Sequence, residues 1–416
     1  MTAAVDHRGR ARVVVTGLGV KTPAGCDLDT FWSTVLDGHS TAAHLTLLDP
    51  DPLPVQFGCE STDFDVSGYL GPKQARRLDR VTHLAWAAAS DAYEHAGNPD
   101  GDPARAAIVV GSGVGGLQSV EEQIAVYADK GASRVSPFLV PMMMINASAG
   151  EIGMQLGWTG PTFVVATACA ASTNAIGEAA RLIRDGTADM VIAAGTESCM
   201  TPTAISAFSR MGALSTRHDD PASASRPFDA GRDGFVMGEG AAALVLERAD
   251  RAVERGADVL AEVAGYGRTA DAHHITAPAP GGAGAVSCMR AALDDAGLEP
   301  GAIAHINAHG TSTTLNDAAE SAAIITVFGD AAPPVTSTKG VFGHMIGAGG
   351  AAEAVASILA MRAGTVPPTA NLEQVGDDIA VDIVAGEPRN IGRGGVLSNS
   401  FGFGGHNATI VFTDPT

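Results

Sequence analysis

The chain offers little from which to build a cross-linked, metal-bound or membrane-embedded protein. Its five cysteines, Cys26, Cys59, Cys169, Cys199 and Cys288, are odd in number and show no CxxC spacing, which disfavours both a disulfide framework and a zinc site. No stretch of about 18 uncharged apolar residues occurs that could span a bilayer. The N-terminal residues Met1 to Arg10 have no hydrophobic signal core, so the chain is expected to be cytoplasmic. Positive charge is scarce: 26 basic residues face 46 acidic ones, a net charge of −20, which argues against nucleic acid or an anionic membrane as a general partner. There is no Walker A sequence, and Gly111-Ser-Gly-Val-Gly-Gly116 does not match GxGxxG and reads as a strand-to-helix turn. No Ser/Pro/Lys-rich linker interrupts the 416 residues, so any domains must be packed into one body.

What is present is material for a large core, since 45% of the residues are hydrophobic and 17% charged. Short β-branched runs recur: Val13–Gly17, Ala107–Gly111, Phe163–Ala166, Met190–Gly195, Ala304–Asn307 and Val335–Thr338. Each ends in a Gly- or Ser-rich turn followed by an Ala-rich helical pattern, the signature of an α/β fold with buried central strands. A helix is expected over Thr173–Leu182, stopping at Asp185-Gly186, and another from about Gly347 to Gly364. The apolar segment from Val135 to Ile145 contains two prolines and reads as buried core or subunit interface.

Four segments carry chemistry. Thr167-Ala-Cys169-Ala-Ala-Ser172-Thr173 places a cysteine in a strand-to-helix turn, where the helix N-terminus favours thiolate, a good acyl acceptor. A lone cysteine among alanines is otherwise inert small core. Asn307-Ala-His309-Gly-Thr311-Ser-Thr313 and Lys339-Gly-Val-Phe-Gly-His344 each end a strand with a histidine. Two neutral imidazoles converging on a thioester oxygen would form an oxyanion-hole arrangement, and a lysine beside them adds fixed positive charge. Asn399-Ser-Phe401-Gly-Phe403-Gly-Gly405-His-Asn407 sets glycines around a ring, which gives a backbone able to swing the ring or to present an N–H to an anion. Outside these, Lys73, Arg76, Arg77 and Arg80 fall within about two helical turns, either a solvated face or a docking patch for an acidic protein.

Together the four segments resemble the signature set of the elongating β-ketoacyl carrier-protein synthases. The likeness spans nearly the whole chain and includes Val13-Val-Val-Thr-Gly-Leu-Gly19, Leu214-Ser-Thr-Arg217, Ser225-Arg-Pro-Phe-Asp229 and Arg232-Asp-Gly-Phe235. The resemblance implies a thiolase-like αβαβα sandwich, with one half over residues 1–260 carrying the cysteine and the other over 261–416 carrying both histidines and the Phe loop. It implies a decarboxylative Claisen condensation on Cys169, with His309 and His344 stabilising the enolate and Lys339 supporting them. The N–H groups of Cys169 and Phe403 would form the oxyanion hole, with Phe401 and Phe403 as the gate. Thr311 and Thr313 would hold the phosphopantetheine arm; Val114, Leu139, Phe208, Asp271 and Thr276 complete the expected substrate contacts. Glu320, Glu353 and Asn407 would be structural supports, and Lys73, Arg76 and Arg77 the docking patch for an acyl carrier protein. No cofactor or metal is implied. The expected assembly is a homodimer, or a heterodimer with a chain-length-factor paralogue if the pathway is polyketide rather than fatty-acid synthesis. Ser172, Gly340 and Thr314 stand where the family commonly has glycine, serine and proline, and Val114 and Leu139 where bulkier side chains are common, which suggests a wider or longer acyl pocket. A silent partner subunit is disfavoured by retention of Cys169, His309 and His344, a thiolase by the pair of histidines, and an initiating synthase by His344, where that branch has asparagine.

Overall fold

The protein is described as a computed structural model covering residues 4–329 and 332–415. Five strands form its first half: β1 (Val13–Lys21), β2 (Ala106–Gly111), β3 (Thr162–Val165), β4 (Met190–Glu197) and β5 (Gly240–Arg248). Five more form the second: β6 (Ala261–Ala270), β7 (Ile303–Asn307), β8 (Val335–Thr336), β9 (Gly395–Gly402) and β10 (His406–Thr413). Across the sheet the order is β8-β7-β9-β10-β6-β1-β5-β4-β2-β3. Each half therefore runs first, fifth, fourth, second, third from its inner strand outward, with the same parallel and antiparallel pairings. The halves join through two residue pairs, Val14 with Glu262 and Val15 with Ala261.

Helices complete the layers. Helix α1 (Arg80–His95) packs on β1, β5 and β4, while α3 (Ala283–Ala296) packs on β6 and β10 with α4 (Thr314–Phe328) beside it. Between the sheets lie α2 (Ala171–Arg184) and α5 (Gly349–Ala363), which touch each other and strands of both halves. The result is the expected five-layered α/β sandwich. Its central helices are buried on most sides, which suits their alanine and glycine content.

The outer helices sit unusually close to their strands, and by the same device in both halves. A Cβ on Gly17 or Gly19 of β1 would collide with the carbonyls of Ala92 and Ala88, and one on Gly265 or Gly267 of β6 with those of Ala292 and Cys288. Two glycines alternating on one face of a strand thus let a helix backbone rest on the sheet.

Sequence patterning located β1, β2, β4, β7, β8, α2 and α5 to within a few residues. It missed β5, whose Gly-Ala-Ala-Ala-Leu-Val-Leu-Glu-Arg run reads as helix, and β6, whose glycines dilute the strand signal. Two expectations need correction. Strand β3 is not a buried central strand; it is the free edge of the first half, with Phe163 37% exposed. The segment from Val135 to Ile145 is not core either: it includes the short helix Leu139–Met143 and exposes Val140, Met143 and Met144. Among the described residues no helix is long and apolar enough to cross a membrane.

Gly19→Ala is expected to lower unfolding stability in urea by roughly 1–3 kcal/mol, because overpacking forces helix and strand apart. A variant as stable as the parent would show that this close approach can relax.

Candidate active site

The three reactive segments come together because each follows a strand of one repeat or the other at its carboxyl end. Cys169 lies in the turn between β3 and α2, His309 just after β7, and His344 after β8 in the turn leading to α5. His344 Nε2 is 3.0 Å from Cys169 Sγ, and donor atoms of Cys169, His309 and His344 all lie within 4.8 Å of one another. The imidazoles stand edge to face, 5.4 Å between centroids. All three residues are buried and border one cavity of about 510 Å³.

Each segment is bent through a backbone conformation that L-residues avoid. Ala168, immediately before Cys169, has φ 50°, Ser312 between the two threonines has φ 70°, and Ile346, two residues after His344, has φ 45°. Such strain persists only where the surroundings over-determine the conformation. The surroundings do so with buried hydrogen bonds. Glu320 accepts the N–H groups of His309 and Gly310, both at 2.8 Å, and its Oε1 also accepts from Asn399. Ser312 Oγ accepts from the N–H of Arg226 at 3.0 Å. Glycine at 402 is a steric requirement, since a Cβ there would lie 2.8 Å from the Thr167 carbonyl and 3.0 Å from the Cys169 nitrogen.

Electrostatics corrects one expectation. Burial pushes the Cys169 thiol up to about 11, although Lys339 and the backbone N–H groups of Phe403 and of Cys169 itself pull it down. The helix N-terminus therefore does not produce a resting thiolate; desolvation wins. The same burial, reinforced by Lys339, holds His309 and His344 well below the usual histidine range, with His344 adding to the effect on His309. Both rings are neutral, as expected. Lys339 is buried and ion-paired to the equally buried Glu353.

Most other predicted residues are at the cavity. Val114, Phe208, Asp271, Thr276, Thr311, Thr313, Phe401, Phe403 and Asn407 all line it. Thr311 and Thr313 share a hydroxyl hydrogen bond of 2.9 Å. Asn407 donates to Asp271 Oδ1 at 2.7 Å, while the Gly404 N–H donates to the Ile275 carbonyl at 2.7 Å, so the Phe403 turn is tied to the segment from Asp271 to Ile275. Leu139 is the exception: it sits in the exposed Leu139–Met143 helix away from the cavity lining. Lys73, Arg76 and Arg77 are exposed, but Arg80 leaves the cluster and turns inward to Glu239. The Gly111–Gly116 turn is no phosphate cradle, because the N–H groups of Gly113 and Val114 are taken by the Glu197 carboxylate.

Sequence reasoning missed Phe235, which packs edge-on against both Phe208 and His344 at centroid distances of 5.4 and 5.2 Å. It also missed Ile346, in the cavity wall, and Glu197, a buried carboxyl pushed up to about 7 by desolvation. An acid ending the apolar strand β4 was the available signal for Glu197.

Cys169, His309 and His344 are also the group of donors that could hold a metal. The fit is poor: Lys339 places positive charge beside all three, and the remaining ring nitrogen, Nδ1, of each histidine has no hydrogen-bond partner, whereas metal-ligating histidines are oriented through that atom. Neutral N–H donors facing a thiol suit a developing oxyanion instead.

Two topologically identical α/β halves, with a buried thiol at a central helix start and paired neutral imidazoles facing it, define a thiolase-like condensing enzyme. The chain belongs to the β-ketoacyl synthase family: its residues 10–252 match the Beta-ketoacyl synthase, N-terminal domain, and residues 260–373 the Beta-ketoacyl synthase, C-terminal domain. It is 44% identical over 411 residues, 97% of this chain and 98% of the relative, to 3-oxoacyl-[acyl-carrier-protein] synthase 2 of Synechocystis. The protein of that name from Staphylococcus aureus is 44% identical over 405 residues, 96% of this chain and 98% of the relative. Among solved structures, the ishigamide ketosynthase/chain length factor superposes with TM-score 0.92 at 33% identity, covering 98% of this chain and 100% of that one. A type II PKS acyl-carrier protein in complex with its ketosynthase gives TM-score 0.89 at 29% identity, covering 97% and 99%.

His305 on β7 tests the electrostatic picture away from the reacting atoms. It is buried, bonded to Thr336 Oγ1 at 2.8 Å, and lowered by burial to about 3. In the unfolded chain it titrates near 6.5, so below that pH the unfolded state binds a proton that the folded state refuses. Its contribution is lost as pH falls from about 6.5 towards 3, by up to about 1.4 kcal/mol per unit. The stability gap between the parent and His305→Gln in urea melts should narrow at that rate below pH 6. A gap constant down to pH 5 would contradict neutral burial.

Proposed function

We propose that the protein is a β-ketoacyl-[acyl-carrier-protein] synthase of fatty acid biosynthesis, which lengthens an acyl chain held on Cys169 by decarboxylative condensation with a malonyl thioester. The observation that carries this reading is the 3.0 Å contact between His344 Nε2 and Cys169 Sγ beside a second neutral imidazole. In the first half-reaction the thiol attacks an acyl thioester: as the new C–S bond to Cys169 forms, the C–S bond to the carrier's sulfur breaks, and the thiol's proton passes to that departing sulfur. The carbonyl oxygen gains charge where the N–H groups of Cys169 and Phe403 converge on the sulfur. In the second, malonyl thioester loses carbon dioxide, and the electron pair of the broken C–C bond becomes an enolate whose oxygen His309 and His344 stabilise by N–H donation. The enolate carbon then attacks the Cys169 thioester, a C–C bond forms as the C–S bond to Cys169 breaks, and the departing sulfur takes up a proton from solvent to restore the thiol. Uncharged donors suit this step, because charge has to be stabilised where it develops and no proton has to be abstracted from carbon. No metal or redox cofactor enters the scheme.

The cavity fits the division of labour. Thr311, Thr313, Asp271, Thr276 and Asn407 give one part polar groups for a phosphopantetheine arm, while Val114, Phe208, Phe235 and Ile346 give another an apolar lining for the acyl chain. Lys73, Arg76 and Arg77 form an exposed basic patch on a chain of net charge −20, complementary to an acidic carrier protein. The free edge of β3, with Phe163, Met154, Val140, Met143 and Met144 exposed around it, supports a homodimer, since such a surface on a lone subunit invites pairing. The ishigamide ketosynthase/chain length factor and a type II PKS ketosynthase share the fold at 33% and 29% identity, but the 44% relatives named 3-oxoacyl-[acyl-carrier-protein] synthase 2 favour the fatty-acid pathway. The free cysteines and the absence of a membrane-crossing helix among the described residues agree with a cytoplasmic enzyme.

Cys169→Ala should abolish condensation, and Cys169→Gln should still release carbon dioxide from malonyl carrier protein. Adding His309→Ala or His344→Ala to Cys169→Gln should reduce that release about 10²–10³-fold; condensation surviving without Cys169 would refute the scheme. Charge reversal at Lys73, Arg76 and Arg77 together should raise KM for acyl carrier protein by about tenfold with little effect on kcat, and flatten its salt dependence. An unaltered KM would remove the patch from the docking surface.

A further inference from the structure

Glu197 is a fully buried carboxylate beside Cys169 with no part in the scheme above. It ends β4, and its two oxygens take four donors from two separate turns. Oε2 accepts the N–H groups of Gly113 at 2.6 Å and of Gly347 at 3.2 Å, while Oε1 accepts Ser112 Oγ at 3.2 Å and the N–H of Val114 at 3.3 Å. A carboxylate has room for about four such bonds and no donor of its own, so the residue is fully committed. The first turn follows β2 and carries Val114; the second follows His344 and carries Ile346. Val114 and Ile346 both line the cavity that contains Cys169.

The second turn would not hold itself. Ile346 has φ 45°, an outlier for a β-branched residue, and the next N–H, that of Gly347, is the one bound to Glu197. The two turns also touch. A Cβ on Gly113 would lie 2.9 Å from Glu197 Oε2 and 3.3 Å from Ile346 Cγ2, and a Cβ on Gly347 would lie 2.7 Å from the same oxygen and 2.4 Å from the Gly113 nitrogen. Only a glycine pair leaves room for a carboxylate wedged between them.

We propose that Glu197 is a positioning residue for acyl selectivity: it clasps the Gly113–Val114 turn to the strained Ile346–Gly347 turn, so that Val114 and Ile346 present one rigid wall to the chain carried by Cys169. The inference rests on the reading of Cys169 as acyl acceptor. A rigid wall discriminates between chains, because each methylene is either accommodated or refused, and a slack wall accepts more of them. Neither turn alone fixes this wall; the carboxylate does so by accepting from both.

The test is the rate of Cys169 acylation, followed by intact-protein mass, with carrier proteins bearing a graded series of saturated chains. Glu197→Gln replaces one acceptor oxygen by an NH₂ facing donors and so weakens the clasp between the two turns. The ratio between the best and the poorest chain is expected to shrink by at least about fivefold, on the scale set by one methylene in an apolar pocket. Gly113→Ala, which presses a methyl against the same carboxylate from the cavity side, should shift the profile as well, and it decides the matter should Glu197→Gln not fold. A common loss at every chain length, or an unchanged profile, in the folded variants would overturn the proposal. If the parent protein took up no acyl group on Cys169 from any carrier, the assignment of Cys169 would fall, and this proposal with it.

Discussion

A single buried contact, His344 Nε2 to Cys169 Sγ at 3.0 Å across 175 residues of chain, sets what the rest of the molecule must achieve. Its two partners belong to different halves, and each half is a complete sheet with its own outer helix. The contact forms only if α2 and α5, the helices that begin beside Cys169 and His344, lie against one another between the sheets. That explains their composition. Gly350 of α5 has no room for a Cβ beside Thr173 and Ser400, and the Ser172 hydroxyl accepts the N–H of Ala351 at 2.9 Å. Small residues bring the backbones together, and the backbones bring the thiol to the imidazole.

Burying that contact has electrostatic consequences in both directions. Taking thiol and imidazoles out of water raises the one and lowers the others, so the resting site is a set of neutral donors and acceptors around an ion pair, Lys339 with Glu353, that is itself out of water. Such a pair gives weak support for stability, since desolvation can outweigh attraction. Its position is more informative than its strength, because it holds positive charge beside Cys169 and both imidazoles while the imidazoles stay neutral. Strain at Ala168, Ser312 and Ile346 is tolerated for the same reason: the turns are over-determined by Glu320, Glu197 and the central helices.

How much of this could be read from residues alone varied with the range of the interaction. The turn at Cys169, the histidine segments and the Phe loop were visible because strand, turn and helix signals are local and their order along the chain is distinctive. The thiolate expectation at Cys169 failed because a helix N-terminus is a local feature whereas burial is not. Arg80 looked like part of the basic patch by spacing, yet Glu239, 159 residues away, draws it inward. Leu139 was placed in the acyl pocket by analogy of position, and the folded chain puts it half-buried in the Leu139–Met143 helix, outside the lining of the Cys169 cavity.

Legible in the residues alone were the alternation of strand and helix and the segments that carry Cys169, His309, His344 and Phe403, because each depends on residue type and near neighbours. Tertiary structure alone decided the protonation of those groups, the wedge of Glu197 between two turns, the packing of Phe235 on His344, and which edge strand is left open. These depend on desolvation and on contacts between residues far apart in the chain, which no local pattern encodes.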